Sequence, residues 1–282
     1  MFFGSGLTNF TIPDWVTNVE DGAFAQCLNL NSLKIGSNIT RIANGTFSQC
    51  ANLTSITIPN NVYKIGNNAF AQCNSMTNAI ISSSLTDLGQ WTFYYCTSLA
   101  SVIIPNSVTN IGDGAFFGCY SLTNVTIGSS VTSIGQESFL DCNSLKSITI
   151  PKSVTSVGIY AFSGCYVLKK VIIGSGVTNI DLGAFEYCPH LTQIFFPGNA
   201  PAAGYGVFDG NGTNVIVFYL PGTTGWGSTF SGRPTVLWNP DLQITSNSFE
   251  KYGNPFSFNI TGTANIPIEV EATTNLTQPY WM

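Results

Sequence analysis

"IGDGAFFGCYSLTNVTIG", residues 111–128, is one turn of a pattern that runs through most of the chain. Aligned on its cysteine, the unit reads L-x-x-I-x-I-(P/G)-x-x-V-T-x-I-G-x-x-A-F-x-x-C. The eight cysteines are Cys27, Cys50, Cys73, Cys96, Cys119, Cys142, Cys165 and Cys188, each 23 residues after the last. A phenylalanine column (Phe24, Phe47, Phe70, Phe93, Phe116, Phe139, Phe162, Phe185) keeps the same spacing, as does a leucine column broken only by Met76. A third column precedes the glycine: Val19, Ile42, Ile65, Leu88, Ile111, Ile134, Val157 and Ile180. A fixed period with apolar columns specifies a solenoid, in which each unit buries its apolar face only against its neighbours.

Within the unit, "LTSITIP" (53–59) alternates and is β-branched, which predicts a short strand ended by proline. "VTNIGDGAFFGC" (108–119) predicts a short extended piece, a turn at Gly112, then a tight helical or 3₁₀ turn carrying Phe116 and Cys119. Strands of neighbouring units would pair in parallel at about 4.8 Å. After the strand, Pro13, Gly36, Pro59, Ser82, Pro105, Gly128, Pro151, Gly174 and Pro197 alternate, a rhythm of two units for which duplication is the plainest origin. Phe208 keeps the period, Asn211 replaces the cysteine and Pro221 falls one residue late, as in a degenerate last repeat. Met1 and Gly4 fall in the phenylalanine and cysteine columns, so the chain is expected to begin inside a repeat.

The 282 residues are 44% hydrophobic but only 8% charged, against about 25% charged in ordinary domains. A net charge of −5 and a pI of about 4.6 argue against nucleic acid, which needs clustered Lys and Arg. Mean hydropathy is +0.22, yet Pro, Gly, Asn or Ser interrupts every apolar stretch before the ~18 residues of a membrane span. "MFFGSGL" shows no basic segment followed by an apolar one, so no signal peptide is visible.

The "IGxxAFxxCxxLxxIxIP" pattern resembles the BspA-like leucine-rich repeats of bacterial surface proteins, over residues 1 to about 221. The stretch "FYLPGTTGWGSTFSGRPTVLWNP" (218–240) is similar to the closing segment of such arrays. The resemblance implies a secreted or surface-exposed protein used for adhesion or protein binding, and it implies no catalytic residues.

The cysteines form a ladder at the strand spacing. That separation lies inside the ~4.4–6.8 Å Cα range of disulfides, so distance alone does not forbid bridges between neighbours. Four bridges would nevertheless distort a uniform repeat pairwise, and a linear ladder cannot converge tetrahedrally on zinc. There is no C-x-x-C, and the single histidine is His190. The expectation is therefore reduced, buried thiols that pack as small hydrophobes.

No enzyme is expected. The 14 acidic residues are dispersed, and no column repeats the carboxylate that a calcium-binding solenoid requires. G-x-S-x-G, P-loop and H-E-x-x-H motifs are missing, and no cofactor is implied. His190 falls in a column of Asn and Ser, as an exposed turn residue would. The solvent-side strand column Thr11, Lys34, Thr57, Ile80, Ile103, Thr126, Thr149, Ile172 and Phe195 reads as an ordinary ladder of strand formers that could also hydrogen-bond a glycan or a protein. Eight N-x-T sequons, Asn38, Asn44, Asn52 and Asn124 among them, matter only in a host that glycosylates asparagine.

The more pointed candidate is a set of aromatics on the turn side. Trp91, Tyr94, Tyr95, Phe117, Tyr120, Tyr160, Tyr166 and Tyr187 stand where other units carry Gly, Ala, Ser, Gln or Asn. Exposed aromatics mark interaction sites; alternatively they fill gaps between neighbouring turns. Both readings are open at this point.

The period ends after Asn239-Pro240, and "PFSFNITGTANIPIEVEATTNL" (255–276) alternates as a hairpin around Gly262, with "LQIT" (242–245) as a third strand. The expected organisation is a mostly β, right-handed leucine-rich-repeat solenoid over 1–221, a capping segment over 222–240, and a small antiparallel β tail over 241–282 that is incomplete alone. The expected function is non-catalytic binding of a protein or glycan at the cell surface or outside the cell. The alternative is a self-assembling subunit that meets its own copies end to end through uncapped solenoid ends and the tail.

Overall fold

The computed structural model describes residues 2–239, 241–243 and 259–261. Each turn of the chain contributes one three- or four-residue strand, from Asn9–Thr11 to Ile216–Tyr219, and most contribute a second two-residue strand, from Arg41–Ile42 to Ala202–Ala203. Every parallel register steps by 23 residues, as in Ser55↔Asn78, Ile134↔Val157 and Gln193↔Ile216. The two-residue strands from Arg41–Ile42 to Ala202–Ala203 form one eight-stranded sheet, and the longer ones form sheets of two, four and six strands, the last of which also takes in Thr229–Phe230. In six of the three-residue strands, Ser55–Thr57 and Ser101–Ile103 among them, the middle residue is buried and its flanks are exposed, which is the period-two alternation of a half-buried strand.

The expected helical or 3₁₀ turn is not there: among the described residues no helix is formed. The segment around each phenylalanine is a run of hydrogen-bonded turns with positive φ two residues before and two residues after the ring. Examples are Gly45 and Gln49 around Phe47, Asn68 and Gln72 around Phe70, and Glu137 and Asp141 around Phe139. A left-handed residue at every fourth position breaks the helical path and turns the peptide groups along the stack. Gly45, Phe47 and Gln49 N–H accordingly donate to Asn67, Ala69 and Ala71 in the next turn, at 2.8, 2.8 and 2.7 Å. These bonds form a third backbone ladder beside the two sheets.

Where glycine follows proline in the two-turn rhythm it is closely packed, although Ser82 fits a Cβ into the same column after Pro59. A Cβ at Gly128 would lie 2.2 Å from the Pro105 carbonyl oxygen, and one at Gly174 2.2 Å from that of Pro151. The residue after the proline ties the pair together where it is Asp or Asn. Asp14 Oδ1, Asn60 Oδ1 and Asn106 Oδ1 accept from the backbone N–H of Ser37, Ser83 and Ser129 at 2.7, 3.2 and 2.9 Å.

The core is a continuous stack of rings. From Phe24 to Phe185 consecutive centroids are 5.1–5.5 Å apart, and Phe208 follows at 6.2 Å. At the other end Phe2 stacks on Phe24 at 5.1 Å, so the ring that extends the column is Phe2, one residue past the position that strict spacing assigns. After the last turn, Thr229–Phe230 and Arg233–Leu237 pair antiparallel, and the latter strand joins Ile216–Tyr219. Trp226 and Phe230 lie 5.0 and 5.4 Å from Phe196, and Phe230 lies 6.3 Å from Phe208. The last turn is thereby covered by aromatic rings. Phe195, expected on the solvent side, is buried: Phe218 of the longer final strand stacks on it at 4.9 Å and Lys170 Nζ sits 5.3 Å from its centroid.

The chain divides into two units, 1–236 and 237–282. In the second, Asp241–Gln243 pairs antiparallel with Asn259–Thr261. The expected hairpin over 255–276 otherwise lies outside the described residues. No helix among the described residues is long and apolar enough to cross a membrane.

Candidate functional site

All eight cysteines are buried and free of disulfides. Each thiol has a partner one turn back: Cys73, Cys96, Cys119 and Cys188 Sγ donate to the carbonyls of Phe47, Phe70, Phe93 and Phe162 at 3.2–3.3 Å. The same carbonyl accepts the turn bond from the cysteine N–H of its own unit, as Phe70 does from Cys73 at 3.3 Å. The thiol therefore fills the second acceptor position of a buried carbonyl that would otherwise be half satisfied. Where Asn211 replaces cysteine, its Nδ2 donates to the Phe185 carbonyl at 2.9 Å. After the last turn, Arg233 Nη2 donates to Phe208 at 2.7 Å. Burial pushes the thiols of Cys50 and Cys96 up to about 12, and those of Cys73, Cys119, Cys142 and Cys165 well above the ordinary thiol range. Such thiols are poor nucleophiles, because the thiolate is the reactive species.

The exposed polar columns are largely committed to the stack as well. Thr77, Thr109, Thr132 and Thr155 hydroxyls donate to the carbonyl one turn back. Asp21, Asn44 and Asn67 side chains each accept from the backbone N–H of the corresponding residue in the next turn, at 2.9–3.0 Å. His190 is exposed, and its Nδ1 lies 2.8 Å from the Tyr166 carbonyl. Among the described residues no group of three His, Cys, Asp or Glu is placed to hold a metal ion.

The turn-side aromatics divide into two sets. Trp91, Tyr94, Tyr95, Phe117 and Tyr120 come together over two adjacent turns, with ring centroids 4.5–5.9 Å apart. The ring contacts among the described residues do not extend from this cluster to Tyr160, Tyr166 or Tyr187; Tyr166 is near His190 at 6.1 Å. Four of the eight, Trp91, Tyr95, Tyr160 and Tyr187, stand at left-handed positions with φ of 52–56°. For a bulky side chain that conformation costs about 1–2 kcal/mol. Each lies over a glycine 23 residues later. A Cβ on Gly114 would be 2.0 Å from Trp91, one on Gly183 2.3 Å from Tyr160, and one on Gly210 2.4 Å from Tyr187. The Tyr95 ring lies face-on to Gly118, with three ring carbons 3.2–3.3 Å from such a Cβ. Gap filling thus accounts for these four rings, whereas Tyr94 and Tyr120 have no glycine beneath them.

Beside the cluster is a shallow, open hollow of about 240 Å³ lined by Gln72, Asn74, Tyr94, Tyr95 and Thr97. In the amide orientation that hydrogen bonding requires, Asn74 Nδ2 donates to the carbonyls of Tyr95 and Gln72 at 2.8 and 3.3 Å. Burial, followed by Tyr95 and Glu137, raises the Tyr94 hydroxyl. Tyr120 is pushed up to about 12, first by its hydrogen bond with Tyr95, then by burial and by Tyr95, Asp141 and Tyr94. Both phenols are neutral donors at any ordinary pH. The sequence reading missed Gln72, Asn74 and Thr97. The period could have found two of them, since Gln72 is the residue one turn before Tyr95, and Asn74 the one before Thr97.

The family described as BspA type leucine rich repeat region matches the sequence in 6 copies, over residues 1–123 and 109–225. No curated protein matches it. Among solved structures, a leucine-rich repeat protein from Bacteroides ovatus is similar at 27% identity with a TM-score of 0.60, covering 77% of this chain and 62% of its own. A leucine rich cell surface protein from Faecalibacterium prausnitzii is 31% identical over 68% of this chain and 60% of its own, with a TM-score of 0.46. The pneumococcal vaccine antigen PcpA is 19% identical over 77% of this chain and 64% of its own, with a TM-score of 0.50. The chain therefore spans less than two thirds of the length of each of these proteins.

Proposed function

The chain belongs to the BspA type leucine-rich repeat family, and from that premise we propose that it is a non-catalytic binding protein, displayed at the bacterial surface or secreted, that holds a protein or glycan on its turn side. The observation that carries this reading is the Trp91–Tyr120 cluster. It sets Tyr94, Phe117 and Tyr120, none of which lies over a glycine, beside the packed rings of Trp91 and Tyr95, while the thiols, threonines and Asx side chains of the neighbouring columns are engaged in holding the turns together. Tyrosine and tryptophan offer large contact area at small entropy cost, which suits them to binding. The end-to-end alternative is less favoured because Trp226 and Phe230 pack on Phe196 and Phe208 at the last turn, which leaves less bare core there for a second copy.

The test is capture on arrays of extracellular-matrix proteins and of glycans, with the unaltered chain, Tyr94→Ala, and Ile103→Ala on the exposed strand face. The expected result is capture that falls at least tenfold in Tyr94→Ala and is unchanged in Ile103→Ala. Capture that depends on Ile103 and ignores Tyr94 would move the binding face to the strands.

A further inference from the structure

We infer that the hollow beside the aromatic cluster is a subsite for one uncharged sugar ring of a glycan. The inference rests on the binding reading above and names the ligand class for that site. Three observations carry it: the size of the hollow, the chemistry of its lining, and the fixed position of its wall.

At about 240 Å³ the hollow is smaller than the roughly 300–1,000 Å³ of enclosed small-molecule sites, and it is open. It therefore suits one ring of a longer chain that continues into solvent. Its lining combines two tyrosine rings with two carboxamides and a hydroxyl, and no charged side chain lines it. The face of a phenol ring carries negative charge density, which complements the C–H face of a pyranose. A carboxamide presents donor and acceptor side by side, and so matches vicinal hydroxyls, each of which is both. The Gln72 side-chain carboxamide has no hydrogen-bond partner among the described residues, while its backbone N–H donates to the Tyr94 carbonyl at 2.6 Å. Asn74 is oriented by two backbone carbonyls, which leaves its Oδ1 as the acceptor.

The wall is also held in place. Tyr95 lies on Gly118 and its ring meets those of Tyr94, Phe117 and Tyr120 at 4.5–5.7 Å. Binding there orders little that is not already ordered, which lowers the entropic cost of association. The surroundings select against acidic sugars. No cationic side chain lines the hollow, so a sialylated or sulfated ring would lose hydration there and find no cation to pair with.

The experiment is saturation-transfer NMR on the full chain with cellotetraose, maltotetraose, mannotriose and chitotriose as neutral probes and the methyl glycoside of sialic acid, a single anionic ring, as the charged one. At least one neutral probe is expected to receive saturation at a terminal ring. That signal should fall at least tenfold in Tyr94→Ala and in Gln72→Ala and persist in Ile103→Ala, with the three variants melting together; the sialic acid glycoside should receive none. If no neutral probe is saturated, or if saturation survives both Tyr94→Ala and Gln72→Ala, the sugar subsite is wrong. If in that case array capture of a protein still depends on Tyr94, the binding face stands and only the ligand class falls. If capture is indifferent to Tyr94, the binding face falls with it.

Discussion

At the residue scale the repeat is governed by one carbonyl. Each phenylalanine C=O is buried between turns and needs two donors. The cysteine N–H of its own turn and the cysteine thiol of the next supply them. A small apolar side chain with a donor at its tip is what the position requires, and cysteine is the least polar residue that provides it. The pKa of these thiols makes the claim testable. The folded state keeps a proton that the unfolded state loses above about pH 9, so stability is complete below that pH and falls as pH rises toward the folded values, near 12 for Cys50 and Cys96. Melting temperature should be level from pH 7 to 8.5 and drop steeply by pH 10. Cys96→Ala should make the alkaline slope shallower by up to about 1.4 kcal/mol per pH unit. An unchanged slope would mean that Cys96 ionises in the folded protein.

At the element scale the surprise is the turn. The period fixes which residues stack, and columns at 23-residue spacing translated directly into strand registers. The positive φ values did not show in the letters, because Gln26, Gln72, Glu137 and Trp91 occupy left-handed positions beside glycines that advertise them. Only the backbone ladder along the stack, which is a long-range effect, makes those conformations favourable, so local sequence suggested a helical turn instead. The aromatic site was half legible for the same reason. Substituting Tyr or Trp for small residues was visible, but four of the eight rings turn out to lie on glycines of the next turn. That packing predicts coupling. Gly114→Ala should cost about 2–3 kcal/mol, from its φ of +58° and its collision with Trp91, against about 1 kcal/mol for Gly22→Ala, where the nearest atom is 3.9 Å away. In a Trp91→Ala background the cost of Gly114→Ala should drop by 1 kcal/mol or more in a double-mutant cycle. Strict additivity would show that the ring moves aside freely.

At the scale of the whole molecule, a solenoid is stabilised turn by turn, so a change at one end should stay local. Arg233 closes the phenylalanine carbonyl column at its last member, where no further thiol arrives. Arg233→Met should therefore speed amide exchange over residues 206–220 and leave residues 100–130 as protected as before. Uniform loss of protection would indicate one cooperative unit rather than a chain of neighbours. The same locality lets a binding surface vary without threatening the fold. Phe116, Cys119 and Leu122 are fully buried, whereas Tyr120 between them is 36% exposed.

The proposed binding face requires that the columns which fold the chain be separate from those which bind, and the double variant Tyr94→Ala/Tyr120→Ala checks this when array capture and melting temperature are read on the same preparation. Capture should be lost while the melting temperature stays within about 2–4 °C of the unaltered chain. Retained capture, or a collapse in melting temperature that matches the loss of binding, would contradict it.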